Sequence, residues 1–335
     1  MRRIKIPKNL ISNSKVMTDP YKKLIEAVIK SQSYGQQPNS LYEPIRYIMS
    51  LGGKRLRPLL TLLAYSLYKS NVKDVVKYAV AVEAFHNFTL LHDDIMDKAP
   101  LRRGKATVHE KWNVNTAILS GDVMLVRVYD MFLELEGEKL KSVLKIFNQC
   151  AAEVCEGQQW DMEFESKKKV TEAQYIEMIR LKTAVLLGFA LELGAVLADA
   201  PESDRVALRS FGTNIGIGFQ LKDDLLDVYA DQKKFGKQVG GDIIANKKTY
   251  LLIKSIEKAR GKDKIELQKW LTVKKFDNRK KVKAITAIYD RLKVSEMTEQ
   301  KINFYFGEGF QSLDRLSANQ TILKSFAEEL IKRQS

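Results

Sequence analysis

Cysteines, signal sequences and long apolar runs are scarce or missing in this sequence. Cys150 and Cys155 are the two cysteines in a chain of 335 residues, too few for a disulfide framework, and their spacing fits no metal-binding motif. No run of about 18 or more apolar residues occurs, so we expect no membrane-spanning helix. The basic N-terminal segment also lacks the apolar core of a signal peptide. We therefore expect a cytoplasmic protein without stable membrane insertion, with both thiols in its core.

Linkers, low-complexity tracts, internal repeats and the alternating pattern of β-strands are also missing, and hairpin dipeptides such as Asn-Gly do not occur. Apolar residues instead recur at helical spacing along most of the chain. These patterns predict an all-α chain of ten or more helices packed into a bundle, as a single domain over residues 1–335. The longest helices are expected at Val75–Asp97, Thr116–Leu135, Leu140–Phe164, Thr171–Leu197 and Arg205–Tyr229.

The chain carries an excess of positive charge, with 56 Lys and Arg against 41 Asp and Glu. A net charge of +15 suits an anionic partner such as nucleic acid, a membrane surface or a phosphorylated small substrate. The basic run KKFDNRKKVK (residues 274–283) predicts a solvated helix face or loop. We find no RNA-binding aromatic signature, zinc finger or basic zipper, so a nucleic-acid partner is not expected.

The segment Leu90–Gly104 places a cluster of charges at the end of an apolar helix. Asp93 and Asp97 lie one helical turn apart on one face, with Asp94 beside them. Such like charges repel by about 0.2–0.5 kcal/mol per pair. Because Pro100 ends the helix, the cluster falls on the last turn, where the helix dipole also disfavours anions. A divalent cation would reverse both effects, and carboxylate oxygens suit Mg²⁺.

The same DDxxD pattern recurs in GFQLKDDLLDVYAD, as Asp223, Asp224 and Asp227. It again lies on a predicted helix behind an apolar run. If the two motifs faced each other across a bundle, six carboxylates would line a central cavity. Such a cavity could hold several Mg²⁺ ions, and these ions could in turn hold a polyphosphate.

Basic side chains suited to phosphate accompany both acidic motifs. No Walker-type glycine loop occurs, so phosphate would be bound by side chains and metal rather than by backbone N–H groups. His86 lies seven residues before Asp93 on the same helix face, whereas His92 and His109 are expected to be structural. The candidate phosphate-binding cations are Lys54, Arg55, Arg57, Arg102, Arg103, Lys182, Lys237, Lys247 and Lys248.

Four motifs occur in order along the chain: GGKRLRP, HDDIMD followed after four residues by RRG, LKT, and GFQLKDDLLD. In this order and spacing they resemble the trans-isoprenyl diphosphate synthases, or polyprenyl synthetases, over roughly Leu51 to Leu251. The resemblance implies an all-α isoprenoid-synthase helical bundle around a central cavity, usually homodimeric. It also implies Mg²⁺-dependent head-to-tail condensation of isopentenyl diphosphate with an allylic diphosphate, with three Mg²⁺ ions per active site.

The resemblance further implies roles for individual residues. Asp93 and Asp97 resemble ligands of two Mg²⁺ ions on the allylic diphosphate, and Asp223 resembles the ligand of a third. Asp94, Asp224 and Asp227 resemble residues that complete the metal site indirectly, for example through water. The allylic diphosphate site is expected to comprise Arg102, Lys182 and Lys237, with Lys247 closing over it. The isopentenyl diphosphate site is expected to comprise Lys54, Arg57, His86 and Arg103. The positions at the reacting centre are Gln158, Asp161, Thr183 and Gln220.

Phe85, Phe88 and Thr89 precede the first acidic motif on its helix. At about 1.5 Å per residue, Phe88 lies about 7.5 Å and Phe85 about 12 Å below Asp93 along the axis. The growing chain must run down this helix, so a large ring there could form its floor. In the resembling family an aromatic residue at the position of Phe88 goes with short products. The small Thr89 favours geranylgeranyl diphosphate over farnesyl diphosphate.

Other functions share part of this pattern. A class I terpene cyclase would share the first DDxxD but would not need GGKRLRP, RRG or the second DDxxD. A non-catalytic subunit of a heteromeric synthase typically loses acidic positions, and both clusters are intact here. A longer-chain polyprenyl synthase shares all four motifs and differs in product length. A nucleic-acid-binding protein would bind without Mg²⁺ and with a steep salt dependence.

Overall fold

The computed structural model describes residues 8–230 and 240–332, and within these ranges it describes side chains from Thr18 to Ile331. Helices dominate this part of the chain, which confirms the all-α prediction. They are α1 (Lys8–Ser31), α2 (Asn39–Ser50), α3 (Leu56–Ser66), α4 (Val76–Met96), α5 (Val108–Lys111), α6 (Val114–Phe132), α7 (Gly137–Ser166), α8 (Glu172–Ile179), α9 (Val185–Leu197), α10 (Glu202–Tyr229), α11 (Gly241–Ile244), α12 (Tyr250–Lys258), α13 (Gly261–Thr272), α14 (Asn278–Arg291), α15 (Val294–Leu313) and α16 (Thr321–Lys332).

A short hairpin, which was not predicted from the sequence, follows α4. Strands β1 (Leu101–Arg102) and β2 (Lys105–Ala106) pair antiparallel across a tight turn. Both central residues of the turn have positive φ, 53° at Arg103 and 74° at Gly104, as in a type I′ turn. An Arg-Gly pair therefore takes the place of the usual Asn-Gly, and the hairpin presents both arginines of RRG.

The chain divides into two compact units, each assembled from separate stretches. The first unit comprises Met1–Gln149, Phe189–Arg209 and Arg315–Ser325. The second unit comprises Cys150–Gly188, Ser210–Asp314 and Phe326–Ser335. The single domain over residues 1–335 stays a prediction.

Aromatic rings form much of the core of the first unit. Phe147 of α7 lies at the centre of this cluster, with ring centroids 5.1 Å from Phe85, 5.2 Å from Phe132 and 5.8 Å from Phe189. Helix α9 is buried along its whole length, as expected for a helix that is apolar on all sides. The cluster fixes the middle of α4 around Phe85. The first acidic motif lies further along the same helix, at its C-terminal end.

In the second unit, the segment predicted as one helix over Thr171–Leu197 contains a π-helical turn at Arg180–Ala184. Such turns insert a residue into the helix and are frequent at functional sites. Two glycines allow neighbouring helices to approach this turn. A Cβ on Gly157 of α7 would lie 2.2 Å from Lys182 N, and one on Gly216 of α10 would lie 2.7 Å from Ala184 Cβ. The turn carries the LKT motif.

Two expectations about burial were wrong in part. Cys150 is buried as expected, but Cys155 is exposed on α7. In the basic run, Lys281 is fully buried. Its Nζ donates to Ile244 O at 3.0 Å and lies 4.1 Å from the centre of the Phe276 ring, which satisfies the charge inside the core. Within the described ranges, no helix combines the length and apolarity that crossing a membrane would require.

Candidate active site

The first acidic motif occupies the end of α4 in the first unit. Asp94 is 2% exposed, and Arg102 donates to it from Nε at 2.8 and 2.9 Å and from Nη2 at 2.6 Å. Burial raises the pKa of Asp94, although Arg102 opposes this effect. Asp97 caps the helix and is exposed, while Asp93 is partly buried and lies 3.8 Å from Arg102 Nη2. The middle carboxylate is thus held inside, Asp97 is exposed, and Asp93, partly buried, is intermediate between them.

The second acidic motif, on α10 in the second unit, shows the same arrangement. Asp224 is 5% exposed, accepts a hydrogen bond from the Tyr175 hydroxyl, and accepts another from Gln220 Nε2 at 3.1 Å. Burial and the nearby charge of Asp242 raise the pKa of Asp224 to about 7. Asp223 is exposed. Asp227 Oδ2 accepts from the backbone N–H of Asp242 at 3.0 Å, which fixes the start of α11 against α10.

Among the described side chains, no group of three or more His, Cys, Asp or Glu residues is arranged to hold a metal ion. Mg²⁺ is typically held by one or two carboxylates together with substrate phosphate oxygens and water. Asp93 and Asp97 of the first unit, and separately Asp223 of the second unit, are carboxylates of the kind that such coordination uses.

Two motifs that are distant in sequence meet in the first unit. Arg103 Nη1 donates to Gly52 O of the GGKRLRP loop. Gly53 has φ 141°, and a Cβ there would lie 3.0 Å from the Arg103 guanidinium, so glycine makes room for that group. Lys54 is exposed and Arg57 is partly buried in the same loop region. The structure therefore places a set of cations around the loop and the hairpin.

His86 belongs to this set. Burial lowers its pKa well below the ordinary value, and the charges of Arg57, Arg103 and Arg102 lower it further. At neutral pH its imidazole is therefore uncharged. It can donate a hydrogen bond from one ring nitrogen but adds no positive charge to the surrounding arginines.

Arg55, which lies between Lys54 and Arg57 in sequence, has a structural role instead. It is 3% exposed, and its three guanidinium nitrogens donate to Glu26, Glu83 and Met49 O, each at 2.8 Å. Its backbone adopts a left-handed conformation at the start of α3, with φ 46°. Arg55 thus ties α3 to α1 and α4, and the suggestion that it binds phosphate is wrong in this structure.

In the second unit, Asp161 of α7 lies between two of the candidate lysines. Lys182 Nζ donates to Asp161 Oδ2 at 2.6 Å, and Lys247 Nζ lies 3.9 Å from the same oxygen. Burial alone would raise the pKa of Asp161, but the charges of Lys247 and Lys182 outweigh it and lower the pKa. Lys248 donates to Glu165 O at 2.9 Å. Lys237 lies outside the described residues.

A chain of hydrogen bonds runs from the LKT motif to the second acidic motif. Thr183 Oγ1 donates to Gln220 Oε1 at 3.4 Å, and Gln220 in turn donates to Asp224. Because Asp224 accepts from the Gln220 amide nitrogen, the amide oxygen is left facing Thr183. Tyr175, which donates to Asp224, is the last member of this series of hydrogen bonds. The sequence did not indicate its role, because a lone tyrosine in a helix is not diagnostic of a functional site. Gln158 Nε2 is buried without a hydrogen-bond partner within the described part of the chain.

The candidate chain-length residues lie below the first acidic motif on α4. Phe88 is 9% exposed and Phe85 1% exposed, with their ring centroids 5.7 Å apart. Thr89 is partly buried, and its Oγ1 donates to His86 O at 2.8 Å. The two rings therefore form a packed pair inside the first unit, with Thr89 beside them.

Comparisons with known proteins agree with this geometry. The family model described as polyprenyl synthetase matches residues 38–289. The chain is 43% identical over 237 residues to geranylgeranyl diphosphate synthase of Methanosarcina mazei, covering 70% of this chain and 73% of the relative. It is 35% identical over 319 residues to that of Sulfolobus acidocaldarius, covering 92% and 95%.

A solved geranylgeranyl pyrophosphate synthase superposes with a TM-score of 0.90 at 41% identity, covering 95% of this chain and 99% of that one. This likeness confirms the predicted isoprenoid-synthase fold. The matched segment also includes every motif from which the resemblance was drawn. The chain therefore belongs to the polyprenyl synthetase family of prenyltransferases.

Proposed function

We propose that this protein joins isopentenyl diphosphate head to tail to an allylic diphosphate and releases a short all-trans prenyl diphosphate. Geranylgeranyl diphosphate is the proposed main product, with farnesyl diphosphate as the close alternative. One observation carries the proposal: in each DDxxD motif the middle aspartate is held internally, while accessible carboxylates remain beside it. The relatives named as geranylgeranyl diphosphate synthases support the product.

Mg²⁺ is the proposed cofactor, with three ions per active site. When bound, it would neutralise the charge that develops on the departing diphosphate. Asp93, Asp97 and Asp223 are the proposed ligands. Asp94 and Asp224 position them, because their own oxygens are already occupied by Arg102, Tyr175 and Gln220. Asp227 acts in the same way, through its bond to Asp242 N.

The allylic diphosphate is proposed to be held by Arg102, Lys182, Lys237 and Lys247. Lys182 and Lys247 both lie beside Asp161, and this carboxylate keeps both ammonium groups in place for an anion. Arg102 uses Nε and Nη2 for Asp94, so its Nη1 is the nitrogen we assign to the substrate. The cations stabilise the charge that builds up on the leaving diphosphate.

Isopentenyl diphosphate is proposed to bind Lys54, Arg57, His86 and Arg103. The contact of Arg103 with Gly52 O supports this assignment, because it fixes one guanidinium beside the loop that carries Lys54 and leads into α3, where Arg57 lies. The uncharged imidazole of His86 would donate a hydrogen bond to a phosphate oxygen. This site holds the second substrate while its double bond attacks the allylic carbon.

The allylic cation formed as diphosphate leaves is proposed to be stabilised by dipoles of the second unit. These are the Thr183 hydroxyl, the Lys182 carbonyl and the Gln220 amide oxygen. The orientation of the Gln220 amide supports this role, because its nitrogen is bound to Asp224 and its oxygen points away from that carboxylate. The released diphosphate takes the proton, so the chain needs no general base. A dry pocket protects the cation from water.

The proposed floor for the growing chain is Phe88, with Phe85 beneath it. The proposed partner is a second copy of the chain, because α6 exposes Ile118, Leu119 and Val126, with Leu133 directly after its end. These four lie on one side of the helix, and burial in a homodimer would remove them from water. The cytoplasm is the proposed location.

The test is to incubate the pure protein with Mg²⁺, labelled isopentenyl diphosphate and, separately, dimethylallyl, geranyl or farnesyl diphosphate. Product length is then measured by chromatography. We expect geranylgeranyl diphosphate as the main product. No condensation with any of these primers would overturn the proposal in favour of the non-catalytic subunit.

A further inference from the structure

His92 occupies space that exists only because residue 121 is glycine. Its Nε2 lies 3.2 Å from Ile118 O on α6. A Cβ on Gly121 would lie 2.3 Å from Nε2 and 2.8 Å from Cδ2, so any other residue would displace the imidazole. The other side of this ring meets Phe88, with centroids 4.8 Å apart and planes at 64°. The imidazole is therefore packed between Phe88 and the backbone of α6.

The contacts of Phe88 on α4 are of two kinds. On one side is Phe85, which is 1% exposed and packs against Phe147 with centroids 5.1 Å apart. That side of Phe88 therefore faces the aromatic core of the first unit. On the other side is His92, one helical turn away, which lies against the α6 backbone at Gly121 and has its Nε2 3.9 Å from Asp122 Oδ1. The position of the Phe88 ring therefore depends on His92.

We propose that His92 and Gly121 are positioning residues that set the place of Phe88 and thereby the length of the product. This inference rests on the proposed function and on the role of Phe88 in it. The bond from Nε2 to Ile118 O fixes the imidazole plane, which a simple apolar filler could not do. A growing prenyl chain that presses on Phe88 therefore meets a ring held by helix α6.

The test compares product length at equal conversion in the wild type and in Phe88→Ala, His92→Ala and the double variant His92→Ala/Gly121→Leu. His92→Ala removes the ring behind Phe88, so the main product should grow by at least one isoprene unit. In the double variant, leucine refills most of the vacated volume from the opposite helix, and such volume-conserving exchanges are tolerated best. Product length should then return to that of the wild type.

Gly121→Ala supplies a second variant if His92→Ala does not fold. It drives the imidazole away from α6 towards Phe88, so the fraction of farnesyl diphosphate should rise at least twofold. An unchanged product in the variants that fold, while Phe88→Ala lengthens it, would overturn the role of His92 and Gly121. An unchanged product in Phe88→Ala as well would remove the floor and this inference together. A wild type without condensation would instead defeat the proposed function.

Discussion

Arg102 and Asp94 form a forked ion pair, in which guanidinium nitrogens Nε and Nη2 donate to both oxygens of a buried carboxylate. The equivalent aspartate of the second motif, Asp224, is held by Tyr175 and Gln220 instead. The two DDxxD motifs thus share the same arrangement of buried and exposed carboxylates. The inner carboxylate is engaged within its own unit, and each motif keeps one exposed carboxylate, Asp97 in the first and Asp223 in the second.

This arrangement predicts opposite behaviour for neighbouring aspartates. Asp94→Ala should lower the free energy of unfolding by about 1–3 kcal/mol, because Arg102 loses its buried acceptor. Asp97→Asn and Asp223→Asn should leave stability without metal unchanged or slightly raised, because like charges are removed, and should cut turnover by orders of magnitude. Denaturant unfolding in EDTA measures the free energy of unfolding, and steady-state kinetics measure turnover. A Tm lowered by several degrees in Asp97→Asn, with activity kept, would show that the motif is structural.

Metal binding should depend on diphosphate. Mg²⁺ is typically held by one or two carboxylates together with phosphate oxygens and water, so a diphosphate should supply part of its coordination. Calorimetry should detect weak Mg²⁺ binding to the protein alone and at least tenfold tighter binding in the presence of inorganic diphosphate. Equal affinity under the two conditions would mean that the carboxylates form a preassembled site. Asp97→Asn is the matched control and should lose most of the enhancement.

The two diphosphate sites should separate in kinetics. Lys54→Ala and Arg57→Ala should raise KM for isopentenyl diphosphate more than KM for the allylic substrate, and Arg102→Ala should do the reverse. Arg55→Ala is the control from the same loop. Because it breaks a buried ion pair with Glu83, it should cost about 3–5 kcal/mol of stability. Equal effects on both substrates in all variants would remove the two-site assignment.

His86 should make stability depend on pH. Its folded pKa lies well below 6.5, so only the unfolded chain takes up a proton there as the pH falls below about 6.5. The free energy of unfolding should therefore fall below that pH, by at most about 1.4 kcal/mol per pH unit from this group. His86→Gln should remove this part of the slope between pH 7 and pH 5. Identical slopes in the two proteins would contradict an imidazole that stays uncharged in the folded chain.

Phe88→Ala should lengthen the main product by at least one isoprene unit without changing its Mg²⁺ dependence. The reason is steric, since the ring stands below the metal motif on the same helix. Adding Phe85→Ala should lengthen the product further, because the second ring supports the first. If this double variant still gave the wild-type product, the aromatic pair would not determine chain length.

Sequence patterns were sufficient for the helices and the two acidic motifs, because apolar periodicity and the DDxxD spacing are local signals. They did not distinguish Arg55 from Arg57, two residues apart. That difference depends on Glu26 and Glu83, which lie far away in sequence and meet Arg55 only in the folded chain. Tyr175, Gly121 and the burial of Asp94 were missed for the same reason. In each case a tertiary neighbour decides what the residue does.

The most direct test of the account is condensation measured side by side in the wild type, Asp97→Asn and Asp223→Asn, with saturating substrates and with Mg²⁺ or EDTA. The wild type should form geranylgeranyl diphosphate with Mg²⁺ and none in EDTA, and both folded variants should react at least a hundredfold more slowly. Wild-type condensation that persists in EDTA, or variants as active as the wild type, would contradict the account.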